Sequence, residues 1–416
     1  MASMRRAHIT LGILTLINLL DYLDRSVLSG MSPLVQDHFG RTDAEMGILT
    51  SSFLIVYSLV SPFTGVIGDR FPRKYLVAGG VLLWSAATVY SGLARSFEEL
   101  LFARSLIGIG EAGYAAVAPS LISDLYDENR RGRMMALFYA ALPVGSAVGF
   151  TLGGAVGTAY GWQNAFYVAG VPGILLGLAA FFLEEPRRGA MDGTVAPERG
   201  PSLLEMLARF VRTPAYVLNS AGYTAATFAM GGLAAWWPTL FYRARCPALD
   251  HPVLVFGAIL VVAGFGGTLA GGWLGDRIHA RNRGGHFLAA GWGLLVAAPF
   301  AVVGILVSSP WVYWSAVFVA LFFLMFNTAP LNAALCNVVP AHMRSTAVAV
   351  NVLAIQMLGD AISPFIMGRI SDATGSLGWG LLLASAMIAL GGIILVASAP
   401  VLRRTLEPSP APASQP

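Results

Sequence analysis

The 416-residue sequence carries little charge: Asp, Glu, Lys and Arg make up 12% of its residues, whereas 56% are hydrophobic. Ordinary soluble domains are about 25% charged, so this chain does not have enough polar surface to face water on all sides. Apolar stretches of roughly 20 residues, the length that crosses a bilayer as a helix, recur between short charged clusters. The composition therefore excludes an ordinary soluble domain and predicts a membrane protein with several spans.

Cysteine and histidine are also scarce, with two and six residues respectively. Cys246 and Cys336 lie in different predicted segments without the spacing of metal ligands, so neither a zinc site nor a disulfide framework is indicated. No nucleophile–base constellation or phosphate-binding loop stands out, and we expect no metal, no cofactor and no enzymatic activity. The net charge of +4 is spread over short loops, which argues against nucleic-acid binding.

The hydropathy pattern predicts an all-α membrane protein with two six-helix bundles. Residues 1–183 form the first bundle and residues 214–402 the second. Between them, residues 184–213 form a linker with an amphipathic helix at 201–211 that lies on the membrane surface, and residues 403–416 are expected to be a disordered cytoplasmic tail. Because Arg and Lys concentrate in the loops on the side of the N-terminus, both termini are predicted to be cytoplasmic. The twelve predicted spans are 8–30, 46–67, 75–94, 98–122, 133–158, 163–183, 214–242, 253–275, 286–306, 311–337, 345–370 and 376–401.

A Gly-x-x-Gly-Asp-Arg motif follows the second predicted span and recurs after the eighth, with the same separation between all four pairs of residues. The pairs are Gly65 with Gly272, Gly68 with Gly275, Asp69 with Asp276, and Arg70 with Arg277. In addition, Arg131 before the fifth span is echoed by Arg344 before the eleventh. These echoes indicate two halves that arose by duplication. The glycines permit close helix contact, and the basic residues suit an anionic membrane surface.

Ionisable residues inside the predicted spans give the strongest functional signal, because placing one at mid-bilayer costs about 2.5–3.5 kcal/mol. The first span contains Asp21, Asp24 and Arg25, and the fourth contains Arg104 and Glu111. Spacings of three, four and seven residues place each set on one face of its helix. Since the two helices run in opposite directions, their charges fall at similar depths. They form either a structural ion-pair network or a proton-coupling site that faces a cavity.

A carboxyl group that changes its distance from an Arg changes its affinity for protons. Asp24 and Glu111 are therefore the predicted proton carriers, tuned by Arg25 and Arg104. Other polar and aromatic residues in the spans are candidates for a substrate site, although each also has an ordinary packing interpretation. These candidates are Asp21, Tyr114, Tyr223, Thr224, Thr227, Phe228, Trp236, Asn327, Asn332, Asn351 and Asp360.

Several segments of the chain resemble the Spinster family of the major facilitator superfamily. They are residues 18–25 (NLLDYLDR), 108–114 (GIGEAGY) with Ala118 and Pro119, 142–146 (LPVGS), 185–187 (EPR), and Thr213-Pro214 leading to 222–225 (GYTA). The repeated Gly-x-x-Gly-Asp-Arg motif is similar to the signature loop of the superfamily. The glycine run of the fifth span resembles the antiporter motif of drug/proton exchangers, but Phe150 stands where that motif usually has Pro.

The resemblance implies a transporter of lysolipids or sphingoid amphiphiles, with Asp24, Arg25, Arg104 and Glu111 as coupling residues. It also implies a cytoplasmic gate made of Gly65, Gly68, Asp69, Arg70, Arg73, Arg131, Asp276 and Arg277. We expect a monomer in a bacterial inner membrane that exports an amphiphilic lipid or drug-like molecule against protons by alternating access. An uncoupled or sodium-linked carrier of another small amphiphile or drug is the alternative. A membrane enzyme or receptor is a third interpretation, which the scarcity of polar clusters disfavours.

Overall fold

A computed structural model describes residues 2–115, 117–126, 128–186, 203–244, 252–307, 309–340 and 343–406. All regular secondary structure in these ranges is helical. Cys246, most of the predicted linker and the tail from residue 407 lie outside them. The helices are α1 (Ala2–Phe39), α2 (Asp43–Arg70), α3 (Arg73–Leu93), α4 (Phe97–Ala115), α5 (Ala118–Leu125), α6 (Glu128–Tyr139), α7 (Ala141–Tyr160), α8 (Trp162–Ala180), α9 (Leu203–Val211), α10 (Pro214–Ala244), α11 (Pro252–Arg281), α12 (Gly285–Leu306), α13 (Pro310–Phe326), α14 (Thr328–Val338), α15 (Arg344–Ile355), α16 (Ser363–Thr374) and α17 (Leu377–Leu406), with a π-helical turn at Gln356–Asp360.

Ten stretches of the described residues are long and apolar enough to cross a membrane. The helices α1 and α10, with 38 and 31 residues, are not among the ten but cover the first and seventh predicted spans. The prediction of an all-α membrane fold is confirmed. Several helices also extend beyond the predicted spans, as α1 does at both ends, because helical hydrogen bonding continues where the apolar sequence has stopped.

Four of the predicted spans are divided into two helices. In each of them a proline lies close to the start of the second helix, where it lacks an amide proton and clashes with the preceding turn. These residues are Pro119 in α5, Pro143 in α7, Pro330 in α14 and Pro364 in α16. The divided spans are the fourth and fifth of each predicted half. The interruptions therefore repeat along the chain as the sequence motif does.

The described chain forms two compact units. Unit 1 consists of Met1–Ala196, Gly231–Val261 and Ala361–Leu381, and unit 2 of Pro197–Met230, Val262–Asp360 and Leu382–Pro416. In unit 1, α1 packs on α7, α3 on α4 and α8, and α2 on α4 and α16. A stripe of Gly145, Gly149 and Gly153 along α7 faces backbone carbonyls of α1, where any Cβ would collide. Glycines at every fourth position allow this close packing of the two helices.

One end of α2 is fastened to α16 and to the end of α10, within unit 1. The Asp43 carboxylate accepts hydrogen bonds from Arg243 (2.6 and 2.5 Å), Gln36 (2.6 Å) and Ser371 (2.5 Å). In return, the Asp372 carboxylate accepts the backbone amides of Asp43 and Ala44 at 3.0 and 2.9 Å. Gly47 and Gly368 bring the two helix backbones together along the same stretch. We call Gln36, Asp43, Arg243, Ser371 and Asp372 the α2 clasp.

In unit 2, the short helix α9 packs through Phe210, whose ring stacks on Tyr216 of α10 with centroids 5.0 Å apart. The Tyr216 hydroxyl donates to the carbonyl of Ala347 in α15 at 2.8 Å. On another side of α9, Leu204 and Val211 are exposed. The helix thus has one face packed on the protein and exposed apolar residues on another.

Candidate functional site

The charged residues predicted in the first and fourth spans meet in unit 1. Arg25 Nε donates to Glu111 Oε2 at 2.7 Å, and Arg25 Nη2 lies 3.3 Å from Asp21 Oδ2. The guanidinium of Arg25 on α1 therefore pairs with one carboxylate of its own helix and with one of α4. Arg25 keeps 18% of its side chain exposed, whereas the side chains of Glu111 and Asp21 are exposed by 0% and 3%.

The second pair of the cluster, Asp24 and Arg104, is looser. Arg104 Nη1 lies 3.9 Å from Asp24 Oδ1, beyond hydrogen-bond length. The other oxygen, Asp24 Oδ2, accepts a hydrogen bond from the hydroxyl of Thr88 in α3. Asp24, Thr88 and Arg104 are all buried, with 2%, 0% and 1% exposure. Asp24 therefore lies between two partners that come from different helices.

Aromatic rings of α1 and α2 surround the guanidinium groups. The ring of Phe53 lies 5.2 Å from the guanidinium carbon of Arg25 and equally far from that of Arg104. Tyr22 and Tyr57 contact Arg25 at 4.9 and 5.0 Å. Such contacts stabilise a desolvated cation by about 0.5–2 kcal/mol each. Phe53 thus contacts both guanidinium groups of the cluster.

The charges of the cluster do not balance. Three carboxyl groups, those of Asp21, Asp24 and Glu111, lie with two guanidinium groups. Four polar atoms of the cluster are buried without a hydrogen-bond partner: Asp24 Oδ1, Glu111 Oε1, and Nε and Nη1 of Arg104. A buried excess charge is unfavourable. One added proton would remove the excess negative charge of the cluster.

Sequence reasoning missed four residues of this site: Tyr22, Phe53, Tyr57 and Thr88. Phe53 and Tyr57 are four residues apart on one face of α2, but an aromatic pair at helical spacing is usually packing. Thr88 lies in a span without charge, so nothing in its own segment marks it. The signal that identifies these residues is their proximity to the charges, which only the fold supplies.

Three of the residues predicted for the cytoplasmic gate have described partners. Arg73 is buried and donates to Asp124 at 2.5 Å, to Glu185 at 3.1 Å and to the carbonyl of Pro186 at 2.9 Å. In the second repeat, Asp276 lies 3.1 Å from His286 Nε2, and Arg277 lies over the ring of Trp273 at 5.4 Å.

The other residues predicted for the gate lie on α2 and α6. Gly68 lies against the side chain of Val117. Gly65, Asp69, Arg70 and Arg131 lie on helices whose course is described, but the surroundings of their side chains are outside the described part of the structure.

Several of the predicted substrate residues donate side-chain hydrogen bonds to backbone carbonyls. In unit 1, the Tyr114 hydroxyl donates to the carbonyl of Leu14 at 2.7 Å, and Trp236 Nε1 donates to that of Pro364 at 2.9 Å. Both side chains are buried, with 1% and 2% exposure. These two bonds tie helices together and leave little of either side chain accessible to a ligand.

The remaining candidates lie in unit 2. Asn351 accepts a hydrogen bond from Ser220 at 2.7 Å and keeps an unpartnered buried amide nitrogen. The Thr227 hydroxyl lies within 3.2 Å of the Ile355 carbonyl, and Asp360 ends the π-helical turn. Asn332 bonds to Thr328 at 2.9 Å, Asn327 bonds to Leu324, Tyr223 and Phe228 are buried, and Thr224 is half-buried.

Unit 1 also contains an apolar cavity of about 320 Å³ between α2 and α16. Its lining residues are Ile48, Ser51, Ser52, Ile55, Val56, Ala361, Ile362 and Phe365. Among the residues described, no cluster of His, Cys, Asp and Glu could hold a metal ion. The cavity is suited to hydrocarbon, because its two serines are the sole polar side chains that border it.

Comparison with known proteins agrees with this architecture. The sequence profile of the Major Facilitator Superfamily matches residues 14–364. Protein spinster homolog 3 of Danio rerio is 33% identical over 388 residues, which cover 89% of this chain and 78% of the relative. The sphingosine-1-phosphate transporter SPNS2 of Mus musculus is 34% identical over 420 residues, with 93% of this chain and 76% of the relative covered.

A solved structure shares the fold. The crystal structure of a bacterial homolog of the human lysosomal transporter Spinster, in an inward-facing and unoccupied conformation, superposes with a TM-score of 0.81 at 24% identity and covers 98% of this chain and 99% of its own. The arrangement of helices is that of a major facilitator transporter rather than of an enzyme. The chain belongs to the spinster family of that superfamily. The resemblance drawn from the sequence is thereby confirmed.

Proposed function

We propose that this spinster-family transporter exports an amphiphilic lipid of the lysophospholipid or sphingoid type in exchange for protons, by alternating access. The observation that carries the proposal is the buried cluster in which three carboxyl groups lie with two guanidinium groups. A permanent structural ion-pair network would be most stable with equal numbers of opposite charges. An excess carboxylate gives the cluster a place for one exchangeable proton.

Asp24 and Glu111 are the proposed carriers, with Arg104 and Arg25 as the partners that set their proton affinity. Each carboxyl group has one oxygen without a hydrogen-bond partner, so neither group is held by a complete set of bonds. Arg itself stays protonated. Movement of α1 relative to α4 would change the distances between acids and guanidinium groups and so load or release the proton.

Two observations support an amphiphilic lipid as the substrate. SPNS2 of Mus musculus, which is 34% identical, is a sphingosine-1-phosphate transporter. The apolar cavity between α2 and α16 offers hydrocarbon contacts for a lipid tail. Asn351 and Asp360, predicted substrate residues of unit 2, are proposed to contact a polar head group.

The proposed setting is a bacterial inner membrane with both termini in the cytoplasm, where the chain works as a monomer. Residues 1–183 and 214–402 would be the two halves that rock against each other, as the repeated helix interruptions favour. The Gly-x-x-Gly-Asp-Arg repeats, with Arg73 and Arg131, would then close the cytoplasmic side. The linker helix α9 would lie on the membrane, since Leu204 and Val211 present an exposed apolar surface beside exposed Arg209 and Arg212.

The test is transport by purified protein in liposomes under an imposed pH gradient. Fluorescent lysophospholipid or sphingosine phosphate serves as the probe, and proton movement is recorded in the same vesicles with a pH-sensitive dye. We expect Glu111→Gln and Asp24→Asn to lose gradient-driven transport, because neither variant can release a proton at that position. Glu98→Gln is the matched control, since Glu98 is on the same helix α4 but is exposed by 69%.

Three results would argue against the proposal. If wild-type transport ignores the pH gradient but follows a sodium gradient, the sodium-linked alternative replaces it. If transport ignores both gradients, the protein is an uncoupled carrier. If lipids are not moved but a drug-like amphiphile is, the substrate class is wrong while the coupling site stands.

A further inference from the structure

Asp24 is held by a hydroxyl group rather than by its nearest cation. Thr88 Oγ1 donates to Asp24 Oδ2, whereas Arg104 Nη1 is 3.9 Å from the other oxygen. A charge-assisted hydrogen bond of ordinary length, about 2.8 Å, would need a shift of only about 1 Å. Arg104 Nε, Arg104 Nη1 and Asp24 Oδ1 all lack hydrogen-bond partners. The short ion pair is therefore within reach but has not formed.

The Thr88 hydroxyl is placed to serve both protonation states of Asp24. It carries one hydrogen and two lone pairs, and it lies within hydrogen-bond distance of two acceptors: Asp24 Oδ2 and, at 2.9 Å, the carbonyl of Trp84. Facing a carboxylate, the hydroxyl donates to Asp24. Facing a carboxylic acid, it accepts the acid's proton in a hydrogen bond and turns its own hydrogen to Trp84. In both states the Thr88 hydroxyl and Asp24 Oδ2 are hydrogen-bonded to each other.

We propose that Thr88 is a positioning residue for proton coupling: its hydroxyl holds Asp24 away from Arg104 in both protonation states and so keeps the carboxyl group exchangeable. The inference rests on the proposed function. Without the hydroxyl, the carboxylate closes on Arg104 and stays ionised over a wider pH range.

The other charges near Asp24 come from two helices. On α1 they are Asp21 and Arg25, and on α4 they are Arg104 and Glu111. The helices α7 and α8, which also pack against α1, contain no Asp, Glu, Lys, Arg or His. A change at Thr88 therefore acts on Asp24 through the lost hydrogen bond and through Arg104, and not through a charged group on these two helices.

The experiment follows the protonation of Asp24 directly, by infrared spectroscopy of the full-length protein in lipid during a pH titration. The protonated-carboxyl stretching band that disappears in Asp24→Asn reports Asp24. In Thr88→Val, which removes the hydroxyl at similar volume, we expect the midpoint of this band to move to lower pH by about one unit, a tenfold change in proton affinity. Thr88→Ser, which keeps a hydroxyl, is expected to restore the wild-type midpoint.

Ser91→Ala is the structural control, because Ser91 is buried on the same helix and bonds only to the carbonyl of Ala87 at 3.0 Å. A midpoint in Thr88→Val that is unchanged or moves to higher pH overturns the inference, as does an equal shift in Ser91→Ala. The infrared readout does not depend on transport. Failure of the proposed function would instead appear as gradient-independent transport in the wild type, with the titration of Asp24 still measurable.

Discussion

At the scale of single residues, the site is defined by how few of its groups have complete sets of partners. Arg25 bonds to Glu111, pairs with Asp21 and contacts three aromatic rings. Arg104, in contrast, has Phe53 and a distant Asp24. One guanidinium is thus firmly held and the other loosely. Because Arg104 has fewer partners than Arg25, we expect any rearrangement to take place on the Asp24 side of the cluster.

We expect Arg25→Gln to destabilise the protein by about 3–5 kcal/mol, because it leaves Asp21 and Glu111 as buried carboxylates without their cation. Adding Glu111→Gln should recover part of the loss, since one unpaired charge is then removed. Thermal unfolding in detergent measures both effects. Arg41→Gln, which removes a partly exposed cation that pairs with Glu45 and Glu98, should change the unfolding temperature little. A double variant no more stable than Arg25→Gln would contradict the paired-charge explanation.

The sequence predicted which charges lie together but not how they pair. Helical spacing placed Asp21, Asp24 and Arg25 on one face of the first span, and the same reasoning aligned Arg104 with Glu111. Which acid meets which guanidinium depends on the rotation of α1 against α4, and this is set by packing contacts that hydropathy does not encode. Thr88 and Phe53 were not predicted as site residues for the same reason.

At the scale of helices, close packing by glycine decides the positions of the charged faces. The α7 stripe of Gly145, Gly149 and Gly153 brings α1 so near that its carbonyls occupy the space of a Cβ. The glycine run was visible in the sequence, but its partner helix was not. The divisions of four spans were also not predicted, although a proline near each division marks them.

Gly149→Leu should destabilise the protein by at least about 1–3 kcal/mol, because a side chain there must displace the backbone of α1. Gly79→Ala on α3 is the matched control, since a Cβ at that position meets nothing within 4 Å. The control should be neutral or slightly stabilising, because Ala favours a helix over Gly. Fluorescence-detected size-exclusion chromatography after heating compares the variants, and equal losses for the two would show that the glycine stripe does not determine the packing.

At the scale of the whole molecule, composition alone was sufficient to predict a membrane protein, and the repeated motif was sufficient to predict two related halves. The spinster family follows from sequence similarity over most of the chain. Neither the cavity between α2 and α16 nor the α2 clasp could be predicted, because both combine segments more than 300 residues apart.

The proposed topology can be tested by labelling single cysteines in a variant with Cys246 and Cys336 replaced by Ala. Arg95→Cys and Arg404→Cys are both at exposed positions, one between α3 and α4 and the other near the end of α17. A membrane-impermeant maleimide should label the first in intact cells and the second only after permeabilisation. The reverse pattern would mean that the protein has the opposite orientation in the membrane. Labelling of both positions in intact cells would mean that the chain crosses the membrane an odd number of times.

The helix α2 takes part in both the charged cluster and the clasp. Phe53 contacts both guanidinium groups, and Asp43, ten residues earlier on the same helix, lies about 15 Å away along the axis. An unbroken helical turn pattern joins them, with Pro62 beyond both. Because both contacts lie on one continuous helix, we expect a displacement of α2 that separates Phe53 from either cation to strain the bonds of Asp43 as well.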